Sequence, residues 1–270
     1  MIFSNSSALA IPEGPVTRIA CNDKLIWKKP FITYEGLLYK LSADGSHYIC
    51  VGVVDGVSAT EITVAGTLNG FPVTAIGSGA FSSLTGLTKI TFQTTPTTIA
   101  DDAFVGCDSM ATVVMPSASD VLATSPWGSG YLRPRFEIGG VIYRRHNTTS
   151  RNQYILDGLT SAFPGGVIEF VDYIGGTPVY ELDASSFKNK TKITEVVIPA
   201  TVNAIEASVF AGCTGLTKVT FKGTPKSIPA TVFDGCTNLL DIYVPWEEGA
   251  KENAPWGATN ATIHYNHTET

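Results

Sequence analysis

Apolar residues recur along this chain with two superposed periods. In the segment Leu87–Phe92, Ile90 and Phe92 alternate with the polar Lys89, Thr91 and Gln93, and Leu87 joins the apolar side. A period of two predicts a half-buried strand. The preceding segment, Ile76–Leu84, spaces its apolar residues by five and then by three, which predicts a short helical turn. The whole set then returns every 23 residues. Ile76, Phe81, Leu84, Leu87, Ile90 and Phe92 map onto Ile99, Phe104, Cys107, Met110, Val113 and Met115. A second block runs Leu182, Phe187, Lys190, Ile193, Val196 and Ile198, then Ile205, Phe210, Cys213, Leu216, Val219 and Phe221, then Ile228, Phe233, Cys236, Leu239, Ile242 and Val244. Five of the six columns are apolar in every copy and one is always Phe, which identifies an internal repeat. The departure is Lys190, in the Leu/Cys column.

A longer duplication lies above the short one. A shift of 106 carries Gly70-Phe71-Pro72-Val73 onto Gly176-Thr177-Pro178-Val179, Ile62 onto Ile168 and Tyr48 onto Tyr154. Gly36-Leu37-Leu38-Tyr39 also resembles Gly140-Val141-Ile142-Tyr143. The chain therefore divides into an N-terminal segment, 1–30, a first cassette, 31–130, a second, 131–260, and a polar tail, 261–270. Gly36–Leu41 and His47–Val51 flank the turn-rich Ser42-Ala43-Asp44-Gly45-Ser46, and Gly140–Arg144 and Gln153–Leu156 flank His146–Asn152, so each cassette opens with a β-hairpin. Each also ends alike, with Pro116 before Pro126-Trp127-Gly128 and Pro245 before Pro255-Trp256-Gly257.

A lone 23-residue unit cannot bury both of its faces, whereas stacked units can. The expected fold is an α/β, β-rich solenoid with a parallel sheet on one face and short helical turns on the other. Leu87–Phe92, Met110–Met115, Ile193–Ile198, Leu216–Phe221 and Leu239–Val244 are its predicted parallel strands, in one arc or two. The end rungs need caps, a role open to Trp127 and Trp256 if they are more than packed loop residues.

The strings IADDAFVGCDSMATVVMP, IEASVFAGCTGLTKVTF and IPATVFDGCTNLLDIYVP, with the entering run NGFPVTAIGSGAF, resemble the BspA-like leucine-rich repeats over residues 57–250. Lys190 and Ser185-Ser186-Phe187 depart from the pattern, so a distorted copy is expected at 182–198. The resemblance implies a right-handed solenoid. It also implies bacterial or protist proteins that attach to host or matrix proteins from an extracellular or cell-surface position. Residues 11–27, IPEGPVTRIACNDKLIW, resemble a short module of phage tail and virion proteins, which implies a virion location instead. The N-terminus lacks a basic stretch before Arg18 and does not read as a standard signal peptide.

Composition narrows the chemistry. Hydrophobic residues make up 44% and charged residues only 16% of the chain, which favours a folded core over a solvated polar surface. A net charge of −6 argues against nucleic acid as partner. No run of apolar residues is long enough to span a membrane. No nucleophile elbow, phosphate loop, zinc-protease or calcium-loop string occurs. Asp101-Asp102 is a carboxylate pair whose adjacent side chains diverge, so a solvated pair is expected. Cys107, Cys213 and Cys236 share a repeat column and read as small buried fillers. Adjacent rungs bring Cys213 and Cys236 close, but parallel stacking opposes the disulfide dihedral, and five cysteines do not complete a framework. His264 and His267 lie three apart in the polar tail, where disorder is a better expectation than a metal site. No cofactor or metal is expected.

The sequence supports a non-enzymatic module that binds a protein ligand through outward strand positions. Lys89, Thr112, Glu195, Lys218 and Asp241 are expected along one line, and Thr91, Val114, Val197, Thr220 and Tyr243 along the next. Tyr243 is the best anchor, and Lys218 and Asp241 are placed to pair across adjacent rungs. The alternatives are a glycan partner, stacked on Tyr243 and the loop Trp residues, or a virion accessory protein.

Overall fold

A computed structural model describes residues 31–56, 58–117, 127–128, 134–146 and 153–267, and the backbone of two short strands before them. These two, β1 (Ile19–Cys21) and β2 (Lys24–Trp27), pair antiparallel. Residues 11–18 and 22–23 of the phage-like stretch lie outside the described residues. A three-stranded meander follows, β3 (Ile32–Tyr34), β4 (Leu37–Leu41) and β5 (Tyr48–Val53). The first repeats wind through β6 (Glu61–Val64), β7 (Thr67–Leu68), β8 (Phe71–Ile76), β9 (Lys89–Phe92), β10 (Thr98–Ile99) and β11 (Thr112–Met115). The pattern restarts with the meander β12 (Arg135–Ile138), β13 (Val141–Arg145) and β14 (Tyr154–Leu159). It continues through β15 (Gly166–Glu169), β16 (Tyr173–Ile174), β17 (Thr177–Leu182), β18 (Ile193–Ile198), β19 (Ala204–Ile205), β20 (Lys218–Phe221), β21 (Asp241–Tyr243) and β22 (Thr262–His264). The hairpin expectation missed β3 and β12, which extend each hairpin to a three-stranded meander.

Neighbouring repeat strands pair in parallel, as a stack of like units requires. β6, β9 and β11 run side by side, and so do β18, β20 and β21. The two blocks do not share one sheet. β11 pairs in parallel with β12, so the strand line of the first block runs straight into the second meander and on through β14, β17 and β19. The repeat strands of the second block form a separate sheet, β15-β18-β20-β21-β22. The stack is continuous, but its repeat-strand face changes side at the junction.

The helical turns expected between strands are absent: no helix occurs among the described residues. The chain makes successive reverse turns instead. Leu84 N–H bonds the carbonyl of Phe81, and Leu87 N–H that of Leu84. Donors just before these bond the next rung: Phe81 N–H reaches Ala103 O at 2.9 Å and Ser83 N–H reaches Val105 O at 2.7 Å. Ser83, Gly106, Asn189, Gly212 and Gly235 occupy one column of this layer, and all have positive φ. A left-handed residue at that position of each rung stops helix propagation.

The core is one apolar cluster running through the stack. All five Phe of the repeat column are fully buried. Phe81 stacks on Phe104 at 5.1 Å, and Phe187, Phe210 and Phe233 stack at 5.3 and 5.8 Å. The copy at 182–198 is therefore regular, contrary to expectation, because Phe187 keeps its place and the variant Lys190 turns outward. Trp127 and Trp256 stand one repeat beyond Phe104 and Phe233. Both are fully buried, and their carbonyls accept the N–H of Phe104 (3.0 Å) and Phe233 (2.9 Å), as a further rung would. Two buried tyrosines repeat a second device: Tyr39 hydroxyl accepts Ala65 N–H at 3.2 Å, and Tyr143 hydroxyl accepts Val171 N–H at 3.3 Å.

Phe210, flanked on both sides, carries more of the stack than Phe81, which is flanked on one. Phe210→Ala is expected to cost about 3–5 kcal/mol, the usual range for a buried aromatic, and Phe81→Ala less. Equilibrium denaturant unfolding checks both. A loss under about 1 kcal/mol for Phe210→Ala would mean that this column does not hold the core.

Candidate functional site

The expected outward lines exist, but as two surfaces. In the first block Lys89 sits beside Thr112, and Thr91 beside Val114. Their line continues to Glu61 and Thr63 on one side and to Arg135 and Glu137 on the other. In the second block Glu195, Lys218 and Asp241 form one column, and Val197, Thr220 and Tyr243 the next. Their neighbours are Val167 and Glu169 on β15, and Thr262 and His264 on β22. A single line from Thr112 to Glu195 does not form, because β12 takes the place next to β11. The 106-residue shift, which carries Glu61 onto Val167 and Thr63 onto Glu169, was the signal for these added positions. Thr220 is a correction: it is buried, 3% exposed, its short side chain standing in register between the larger Val197 and Tyr243.

Charges on the second surface pair across rungs. Lys218 Nζ meets Glu195 at 2.8 Å, and Asp241 meets His264 Nε2 at 2.7 Å. Lys222 reaches Glu169 at 2.8 Å. Lys89 and Glu61 make the corresponding first-block pair at 3.4 Å. Such half-exposed pairs contribute under about 1 kcal/mol each to stability, but they fix where the charges stand. The residues expected to form a disordered tail instead build β22, because Thr262 N–H bonds Leu240 O and sets the strand in register with β21. That pairing stacks His264 on Tyr243 at 4.3 Å, with His267 against the same ring at 4.7 Å. The two imidazoles thus flank an aromatic ring, and among the described residues no three His, Cys, Asp or Glu converge as metal ligands would. Asp101 and Asp102 are exposed and separate. Asp102 accepts from Ser78 Oγ at 2.7 Å and Gly79 N–H at 3.2 Å, and these bonds hold its carboxyl below the usual range.

The BspA type leucine rich repeat region matches residues 59–125 and 177–250, in six copies, which is just over half of the chain. This chain belongs to the BspA-type leucine-rich-repeat family. Comparison with curated proteins gives no match. Similar solved structures include a leucine-rich repeat protein of T. pallidum, 19% identical over 78% of this chain and 80% of that one, TM-score 0.30. A leucine-rich cell surface protein of Faecalibacterium prausnitzii A2-165 is 16% identical over 89% and 96%, TM-score 0.32. A leucine-rich repeat protein of Bacteroides ovatus is 14% identical over 87% and 90%, TM-score 0.32. No helix of the BspA-type chain is long and apolar enough to cross a membrane, among the described residues.

The cysteine column of this BspA-type chain serves the stack. The thiols are free, and each donates to the Phe carbonyl of the preceding rung: Cys107 to Phe81, Cys213 to Phe187 (both 3.0 Å) and Cys236 to Phe210 (3.1 Å). Leu84 and Lys190 occupy the column where a block has no earlier Phe rung to satisfy. Burial pushes the thiols of Cys107 and Cys236 up to about 11 and those of Cys50 and Cys213 up to about 12. In the unfolded chain they ionise near ~8.5. Between that value and 11 the unfolded state therefore holds fewer protons than the folded state, and stability falls as pH rises. Denaturant midpoints are expected to drop from pH 8.5 to 11, with a shallower drop in Cys213→Ala. A thiol reagent at pH 8 should label these four cysteines only after unfolding, and rapid native labelling would place the column at the surface.

Proposed function

We propose that the chain is a non-enzymatic binding module of a bacterial surface or secreted protein, which engages a protein partner across the outward face of β18, β20 and β21. One observation carries this reading. The inward residues Val196, Val219 and Ile242 are alike and buried, while the outward Glu195, Lys218, Asp241 and Tyr243 differ in charge and size and reach solvent. Packing requires the first set, and nothing in the core requires the second. Proteins of this repeat family are in general binding scaffolds, and a curved stack presents extended surface.

Tyr243 is the anchor of this surface. Its ring is stiff and amphipathic, the kind of group that dominates interface energy. The flanking imidazoles hold it in one orientation, which lowers the entropy lost on binding. The cross-rung ion pairs supply an ordered polar rim. Lys89, Thr91, Thr112 and Val114 belong to the first cassette, 31–130, and form a second, separate surface. A glycan partner is disfavoured because Trp127 and Trp256 are buried and offer no stacking face.

The test uses the full chain against an immobilised basement-membrane protein extract, with a glycan array in parallel. The double variant Tyr243→Ala, Lys218→Ala is expected to lower affinity for the retained protein by at least tenfold, about 1.4 kcal/mol. Asp101→Ala, Asp102→Ala should leave it unchanged. The reverse outcome moves the site to the turn layer, and retention by the glycan array alone replaces the protein partner by a sugar.

A further inference from the structure

Three lysines of one turn lack the partners that other cations of the stack have. Lys89, Lys218 and Lys222 each meet a carboxylate across a rung. Lys188, Lys190 and Lys192 stand in the turn layer between β17 and β18. All three are exposed, and none makes an ion pair among the described residues.

The adjoining rungs explain this. The turn is held on one side by Gly166 N–H on Lys192 O (2.9 Å) and on the other by Asn189 N–H on Ala211 O (2.8 Å). Residues 160–168 on the first side and 207–217 on the second carry no charged side chain. The carboxylates nearest in sequence are engaged elsewhere, Asp183 with Arg144 and Glu195 with Lys218. The first carboxylate in the columns of these lysines is Asp234, two rungs on and about 10 Å away at the spacing of adjacent strands. Three positive charges thus stand uncompensated on a chain whose net charge is −6.

The repeat does not require them. Their positions hold Ala211, Cys213 and Gly215 in the next rung, and Ser82, Leu84 and Gly86 in the first block. The large apolar side chains around them, Phe163, Phe187, Ile193, Phe210 and Leu216, are buried. The patch therefore offers charge without the exposed aromatic or aliphatic anchor on which a protein interface centres. Lys190 N–H bonds Phe187 O and Ile193 N–H bonds Lys190 O, both at 3.2 Å, so the three stems leave the backbone from set points.

We propose that Lys188, Lys190 and Lys192 bind an acidic polysaccharide, their ammonium groups meeting sulfates or carboxylates along the sugar chain. A linear polyanion gains from counterion release at each contact and needs no apolar pocket. Duplex nucleic acid fits less well, because its wide field meets the rest of an acidic molecule. The contact is one of charge rather than ring stacking, so it does not call on Trp127 or Trp256. It lies in the turn layer, apart from the Tyr243 columns, and stands or falls independently of what they bind.

The full chain is titrated into a fluorescent heparin decasaccharide, and anisotropy reports binding. Binding should persist at physiological salt and weaken as salt rises, with a log–log slope of about −2 to −3 for three lysines. Lys188→Gln, Lys190→Gln, Lys192→Gln together should lower affinity at least tenfold. The corresponding triple Arg variant should retain it. Lys40→Gln, Lys226→Gln, Lys251→Gln changes net charge equally at lysines elsewhere in the stack and should leave affinity nearly unchanged. Equal thermal midpoints confirm that the variants fold. Equal losses in the two Gln variants would reduce the effect to net charge. A DNA duplex of the same length bound as tightly would replace the sugar by any polyanion, and no binding at physiological salt would leave the lysines as solvated surface. Each of these three results overturns the proposal.

Discussion

A 23-residue rung has more backbone donors and acceptors in its turn layer than it can pair with itself, and the buried Phe side of that layer excludes water. The N–H of Phe81, Phe187 and Phe210 is met by the carbonyl before the Phe of the following rung. The carbonyl of the same Phe is met by a Cys thiol of that following rung. An unpaired buried group costs about 1–3 kcal/mol. Each rung is therefore incomplete until the next one is in place, and the Phe ladder supplies the apolar area that makes stacking favourable.

This constraint explains the irregular positions as well as the regular ones. Cys stands where a preceding Phe carbonyl needs a donor, and Leu84 or Lys190 stands where there is none. Trp127 and Trp256 close the two blocks because each Trp carbonyl answers the N–H of the last Phe, while the Trp127 ring packs on Phe104 and the Trp256 ring on Phe221 and Trp246. Left-handed residues in the turn layer keep donors pointed along the stack, where a helix would have turned them back onto its own turn.

The junction decides how the outward columns are arranged. Because β11 hands its edge to β12, the outward columns of the two blocks lie on different sheets. Tyr243 and Lys218 therefore do not share a single sheet surface with Lys89 and Thr112. The same junction shows how this fold extends a stack, by one meander accepting the last strand of the block before it.

Period and column identity were legible in the residues alone: the repeat strands, their parallel order, the Phe core and the hairpins that open each half. These follow from local alternation and from the need of a small unit to bury two faces, both of which are written in every copy. The outward set was legible as a set of alternating positions, because alternation decides which side of a strand a residue takes. What the residues did not disclose is non-local. The change of face at β12 depends on which edge a distant strand finds free. The burial of Thr220 depends on the size of its neighbours on adjacent rungs, and the order of residues 262–267 depends on β21 offering an unpaired edge. The turn layer was misread as helical because spacing reports which residues are buried, whereas its hydrogen bonds are decided by the rung stacked above.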